Sequence, residues 1–268
     1  MRTITVEKQP LRTGVLMPAR DLTVAWGLIV VIAALAWTIT VAQAGDMGIG
    51  PGTMGMALPL FLLLWLAMMA AMMLPSVAPV AVTWARSIAR QSGGASRAVR
   101  TTGFLGGYLL VWTAFGLVAY GGLTVTGHWV DREPEAGKWI GAAAFALAGL
   151  YQLGPLKYVC LRHCRSPMAQ LLHYASWHPP ARDLRVGLHH GGYCLGCCWA
   201  LMVVLVPLGV MNVAAMAVIA VVVFLEKLWQ RGPALARVAG VVFLALAVLA
   251  PFQDWLLPGL TPDAMGPM

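Results

Sequence analysis

Charge is what this sequence has least of. Only 10% of its 268 residues are Asp, Glu, Lys or Arg, against 60% hydrophobic. Soluble domains carry roughly 25% charged residues, so a chain this apolar cannot solvate the surface of a water-soluble globule. Catalytic and phosphate-binding signatures are missing as well. There is no Gly-x-x-x-x-Gly-Lys, no Gly-x-Ser-x-Gly and no His-Glu-x-x-His. The same apolar composition excludes a secreted disulfide scaffold. The 29 glycines and 17 prolines lie between or inside long apolar runs, so they do not signal disorder. What is left is an all-α polytopic bundle of transmembrane helices in the inner, or plasma, membrane, with the lipid bilayer as its first partner.

The net charge of +8 would ordinarily raise nucleic acid as a partner. The positions of the basic residues argue for no nucleic acid and for membrane orientation instead. About 20 apolar residues cross a bilayer core. Spans are expected at 22–44, 57–85, 102–126, 139–159, 192–209, 212–228 and 237–257, seven in all. The run 192–228 is about 55 Å long as one helix, too long for one crossing, and Pro207, Gly209 and Asn212 mark its middle. With that division, 16 of the 18 basic residues fall on one side. They are Arg2, Lys8, Arg12 and Arg20; Arg86, Arg90, Arg97 and Arg100; Lys157, Arg162, Arg165, Arg182 and Arg185; and Lys227, Arg231 and Arg237. Arg132 and Lys138 alone face the other. Basic loops stay cytoplasmic, which puts the N-terminal segment 1–21 inside and the tail 258–268 outside. Trp26, Trp84 and Trp229 are expected at the inner headgroup level, Trp129, Trp139 and Trp255 at the outer. Ala42-Gln43-Ala44 has the form of a signal-peptidase site, but the apolar stretch before it exceeds a signal core, so the first helix is expected to stay.

Within the spans the polar chemistry is sulfur. Glu226 and Lys227 are expected to snorkel from a span end. Met68 and Met72, and Met69 and Met73, are i,i+4 pairs that form two sulfur columns on one helix side, just before a break at Pro75 and Pro79. Taken singly, each methionine would be packing. Cys160 and Cys164 close the fourth span, and Cys194, Cys197 and Cys198 open the fifth, with Met202 one turn deeper. Cys160, Cys164, Cys194 and Cys198 are expected to form one four-sulfur site, with Cys197 as a possible substitute. In a reducing cytoplasm these are ligands rather than disulfides. Soft sulfur ligands favour Cu(I), while four thiolates also suit Zn(II). His163, His189 and His190 lie nearest the thiols and are candidate ligands.

The blocks from Trp65 to Pro79, from Tyr151 to Pro167 and from Gly192 to Asn212, with Glu226-Lys227, resemble a bacterial family of predicted metal-binding integral membrane proteins. The string Cys194-Leu195-Gly196-Cys197-Cys198-Trp199-Ala200-Leu201-Met202 is specific to it. The resemblance covers about residues 57–245 and implies metal binding, without naming the metal. Trp65, Met68 and Pro75 are echoed by Trp199, Met202 and Pro207, which suggests two inverted three-helix repeats after the first helix. The expected function is Cu(I) transport, or delivery to a partner such as a metallochaperone or metalloenzyme. Two alternatives remain: a transmembrane thiol–disulfide electron conduit, and a subunit stapled by Zn(II).

Overall fold

The computed structural model describes residues 19–47, 50–177 and 181–260. The segment before Ala19, His178 and the tail after Leu260 lie outside these described residues. Among the described residues ten helices follow in order: α1 Ala19–Met47, α2 Leu58–Gln91, α3 Gly94–Arg132, α4 Pro134–Leu153, α5 Pro155–Cys164, α6 Pro167–Ala175, α7 Arg182–Val203, α8 Leu205–Leu208, α9 Val213–Leu228 and α10 Gly232–Leu249. Two 3-10 turns, Ala250–Phe252 and Asp254–Leu256, close the described chain. No strand occurs among the described residues.

Among the described residues, four helical stretches are long and apolar enough to cross a membrane: Trp26–Gly45, Leu58–Ala89, Ala95–Arg132 and Gly232–Phe252. A fifth is the pair α4–α5, bent by 65°. The expected span 139–159 runs straight through that bend, at Gly154-Pro155. Pro155 supplies no N–H to bond back into α4 and instead opens α5 at its first turn. The expected span 192–209 also changes. Its helix α7 begins ten residues earlier, at Arg182, and carries a polar first half. The region 212–228 is the 16-residue α9, about 24 Å long against a bilayer core of about 30 Å. Between them the chain breaks at Gly209, whose φ of +91° favours glycine, and Asn212 caps α9 by accepting from the Ala215 N–H at 3.1 Å.

The expected break at Pro75 and Pro79 is absent. α2 runs through both prolines. Each removes one helical N–H, so the carbonyls of Ala71 and Pro75 lose their usual donors, while Ser76 Oγ donates to the Met73 carbonyl at 2.9 Å and Thr83 Oγ1 to that of Pro79 at 2.6 Å.

The core is built by three close helix pairings, α3 with α7, α4 with α10 and α1 with α2. The first is a glycine crossing. A Cβ on Gly187 would land on the Phe104 carbonyl, and one on Gly107 on the Leu184 carbonyl. This approach draws the cysteine face of α7 inward. Large apolar side chains remain exposed along α1, α3 and α10, among them Ile32, Leu35, Val118, Val238 and Val248. Of the six tryptophans assigned to the headgroup belts, five are exposed. Trp84 is buried instead, edge-on to Tyr174 and beneath the Arg182 guanidinium, because α6 folds back over α2.

Candidate metal centre

All five cysteines are free. On α7, Cys194, Cys197 and Cys198 share the helix face that continues to Leu201 and Met202, and all five side chains are buried. α5 lies against this face. A Cβ on Gly196 would sit 2.8 Å from Cys160 Sγ, so the glycine admits the α5 sulfur. The Tyr151 hydroxyl donates to the Gly196 carbonyl and anchors the end of α4 beside it.

The sulfurs meet in pairs. Cys164 Sγ lies 3.7 Å from Cys197 Sγ, and Cys198 Sγ lies 3.8 Å from Met73 Sδ. The thiols of Cys197 and Cys198 both donate to the Cys194 carbonyl, at 3.1 and 2.8 Å. A sulfur series therefore runs from α5 across α7 to α2. The cysteine that meets Cys164 of α5 is Cys197, where the i,i+4 spacing of Cys194 and Cys198 makes it only a substitute. Met68, Met69, Met72 and Met73 are all buried in the same core cluster as Met202. Trp65 and Trp199, the echoed tryptophans, have unlike surroundings. Trp65 Nε1 donates to the Trp112 carbonyl at 3.1 Å, while Trp199 packs edge-on to Tyr151.

The cluster sits among buried charges. Lys157 Nζ contacts Glu226 Oε2 at 2.6 Å and donates to the Cys197 carbonyl, while Gln152 Nε2 donates to Glu226 Oε1 at 2.7 Å. Lys227 Nζ donates to Cys194 Sγ at 3.1 Å and to Ser76 Oγ at 3.2 Å. The Tyr108 hydroxyl lies 3.3 Å from Cys194 Sγ. Glu226 and Lys227 are 1% and 5% exposed, and Lys157 1%, so the expected snorkelling does not occur. Lys157 and Lys227 are thus interior charges and drop out of the 16 assigned to basic loops. The physical reason is that each finds polar partners inside, which an apolar environment otherwise withholds. A signal for them existed. Glu226 continues the buried face Met216, Ile219, Val223 at helical spacing, as Lys157 precedes Leu161 by one turn.

The histidines divide. His163, His173 and His189 line a cavity of about 450 Å³ with Arg162, Gln170 and Tyr193. His163 stacks on Tyr193 with ring centroids 3.7 Å apart. The Tyr174 hydroxyl bridges His163 Nε2 at 3.3 Å and His189 Nδ1 at 3.0 Å. Burial, with the neighbouring His189 and His173, lowers the His163 pKa to about 4, and burial lowers that of His189. Both imidazoles are neutral near pH 7. His190 points elsewhere, buried and stacked on Tyr108.

Among the described residues, no three His, Cys, Asp or Glu side chains converge as a ready-made metal-holding group. The expected four-thiolate tetrad is not assembled in this conformation. Pairs are. Two sulfurs at the vertices of a tetrahedron with metal–sulfur bonds of about 2.3 Å lie about 3.8 Å apart. The two sulfur contacts match that edge, and one of them mixes thiol with thioether, a donor set that favours a soft cation such as Cu(I).

A family model for copper chaperones, PpoB2, matches residues 62–250. That range holds the whole sulfur cluster and its buried charges and leaves α1 outside. No curated protein and no solved structure matches the chain. The match spans well over half of the chain, and the chain belongs to the PpoB2 family of copper chaperones.

Proposed function

We propose that this chain is an integral membrane carrier of Cu(I). It takes the ion on thiols at the cytoplasmic end of a seven-span bundle and passes it along buried sulfur towards a client metalloenzyme. Copper here is cargo. The observation that carries the reading is the sulfur series Cys164–Cys197 and Cys198–Met73, which joins three helices at contact distances suited to a shared soft cation. The apolar surfaces of α1, α3 and α10 support a bilayer environment. The basic loops support the N-terminus inside and the C-terminus outside. Pairwise sulfur donors fit Cu(I), which accepts few ligands, better than a Zn(II) staple with four.

The test uses reduced, purified full-length protein. Wild type is expected to bind Cu(I) and to activate a copper-free cuproenzyme. Cys164→Ser with Cys197→Ser is expected to lose tight binding. Met68→Leu with Met72→Leu nearly conserves apolar volume, so folding and binding persist while transfer slows. Undiminished binding by the double serine variant would place the site elsewhere, and undiminished transfer by the double leucine variant would make those methionines packing. A second reading, thiol–disulfide electron transfer, is favoured by the closeness of Cys164 to Cys197 on two different helices. A reversible two-electron redox couple that disappears in Cys197→Ser and persists without copper would support it.

A further inference from the structure

Lys227 is a buried cation without a carboxylate. It donates to Cys194 Sγ and Ser76 Oγ, and no Asp or Glu forms an ion pair with it among the described residues. The neighbouring Lys157 is neutralised by Glu226, its ion-pair partner. No carboxylate is therefore left to match Lys227, which is 5% exposed and in direct contact with a thiol. An isolated buried charge is costly, and a structure retains one where a counter-charge completes it.

We propose that Lys227 is the counter-charge of a two-thiolate metal complex and that it thereby selects a monovalent soft cation over a divalent one. When a monovalent ion enters, two thiols give up their protons and two thiolates form bonds to it. The complex then carries one net negative charge, which the Lys227 ammonium matches. A divalent ion on the same two thiolates is neutral and leaves the lysine uncompensated. A divalent ion on four thiolates carries two negative charges, and half of that remains unmatched. Three thiolates would balance a divalent ion, but no such trio converges among the described residues. Donor softness chooses copper-like ions, and the fixed charge chooses their valence. This inference rests on the proposed copper-carrying role of the same cluster.

Ag(I) and Cd(II) are suitable probes, since both are soft and, unlike copper, neither has a second common oxidation state as a dissolved ion. Their affinities are measured by competition on the purified full-length protein. Lys227→Met is expected to weaken Ag(I) binding by roughly 30-fold or more, the loss typical of removing one member of a buried charge pair. Cd(II) binding is expected to hold or rise, while Lys227→Arg keeps the wild-type ratio of the two affinities. Lys227→Gln removes the charge but keeps a donor for Ser76, and it answers the same question should the methionine variant not fold. An unchanged Ag(I)-to-Cd(II) ratio in the methionine and glutamine variants overturns the assignment. The cysteine variants separate the two levels. If Cys164→Ser with Cys197→Ser binds Ag(I) like wild type, the carrier reading itself falls. If that variant loses Ag(I) while the lysine variants keep the wild-type ratio, only the counter-charge role falls.

Discussion

At the scale of single residues, the buried pair Lys157–Glu226 sets a stability test. Glu226→Ala strands the Lys157 ammonium in the core, and losing one partner of a buried pair costs about 3–5 kcal/mol. Replacing both, Lys157→Met with Glu226→Leu, is expected to recover most of that loss, because no lone charge is then left. Denaturant unfolding in detergent would check both values; equal destabilisation by the single and double changes would show the pair is not coupled. The histidine cavity sets a pH test. His163 titrates at about 4 in the folded protein and near 6.5 when unfolded. Between those values the unfolded chain holds more protons, so stability falls as pH drops from about 6.5 towards 4 and is unaffected above that window. His163→Gln is expected to flatten the profile there. An unaltered slope in that variant would assign the acid sensitivity to other groups.

At the scale of elements, the α3–α7 crossing decides whether the cysteine face is held inward. Gly187→Ala and Gly107→Ala each drive a methyl into a backbone carbonyl of the partner helix, where no side chain can move aside. Each is expected to cost about 1–3 kcal/mol through overpacking and to weaken metal binding as α7 shifts. Gly121→Ala, on the same α3 but facing open space, is the control, with a gain of up to about 1 kcal/mol from helix propensity. Thermal unfolding of the three variants separates packing from propensity, and a Gly187 variant as stable as the control would refute the close crossing. The kinked α4–α5 pair belongs here as well. Without the turn at Gly154-Pro155, a straight helix would carry Cys160 and Cys164 away from α7. Arg165 fastens the end of α5 by donating to the carbonyls of Glu226 and Trp229 at 2.6 and 2.7 Å, the second of which also accepts from the Gly232 N–H at 2.9 Å.

At the scale of the molecule, the proposed orientation has a direct readout. Reporter fusions at Arg97, Arg182 and Arg231 are expected to read as cytoplasmic, and fusions at Gly52 and Arg132 as external. An external Arg231 fusion would mean that α7 to α9 do not make two crossings. Here α9 is short and α7 is polar over its first half, so the Arg231 fusion tests both crossings at once. The same geometry lets buried charge enter a bundle of apolar helices. Lys157 comes from α5, Glu226 and Lys227 from the last turn of α9, and Ser76 from the proline-containing part of α2.

Composition and hydropathy alone determined the helical class and the long apolar segments, because run length and charge scarcity are local properties of a chain. The break near Gly209 was equally legible, since glycine and the Asn212 cap act within a few residues. So was the richness in sulfur of one helix face. The partnerships were not. Spacing within α7 relates Cys194 to Cys198, but whether Cys197 or Cys194 meets Cys164 depends on how α5 turns at Gly154-Pro155 and lies across Gly196. Lys157 and Lys227 read as loop cations by position, and only the packing of α5 and α9 against α7 and α2 makes them interior. A side chain's charge is written in the sequence. Whether that charge meets water, a carboxylate or a thiol is decided by tertiary contacts between residues as many as 151 positions apart, as Lys227 and Ser76 are.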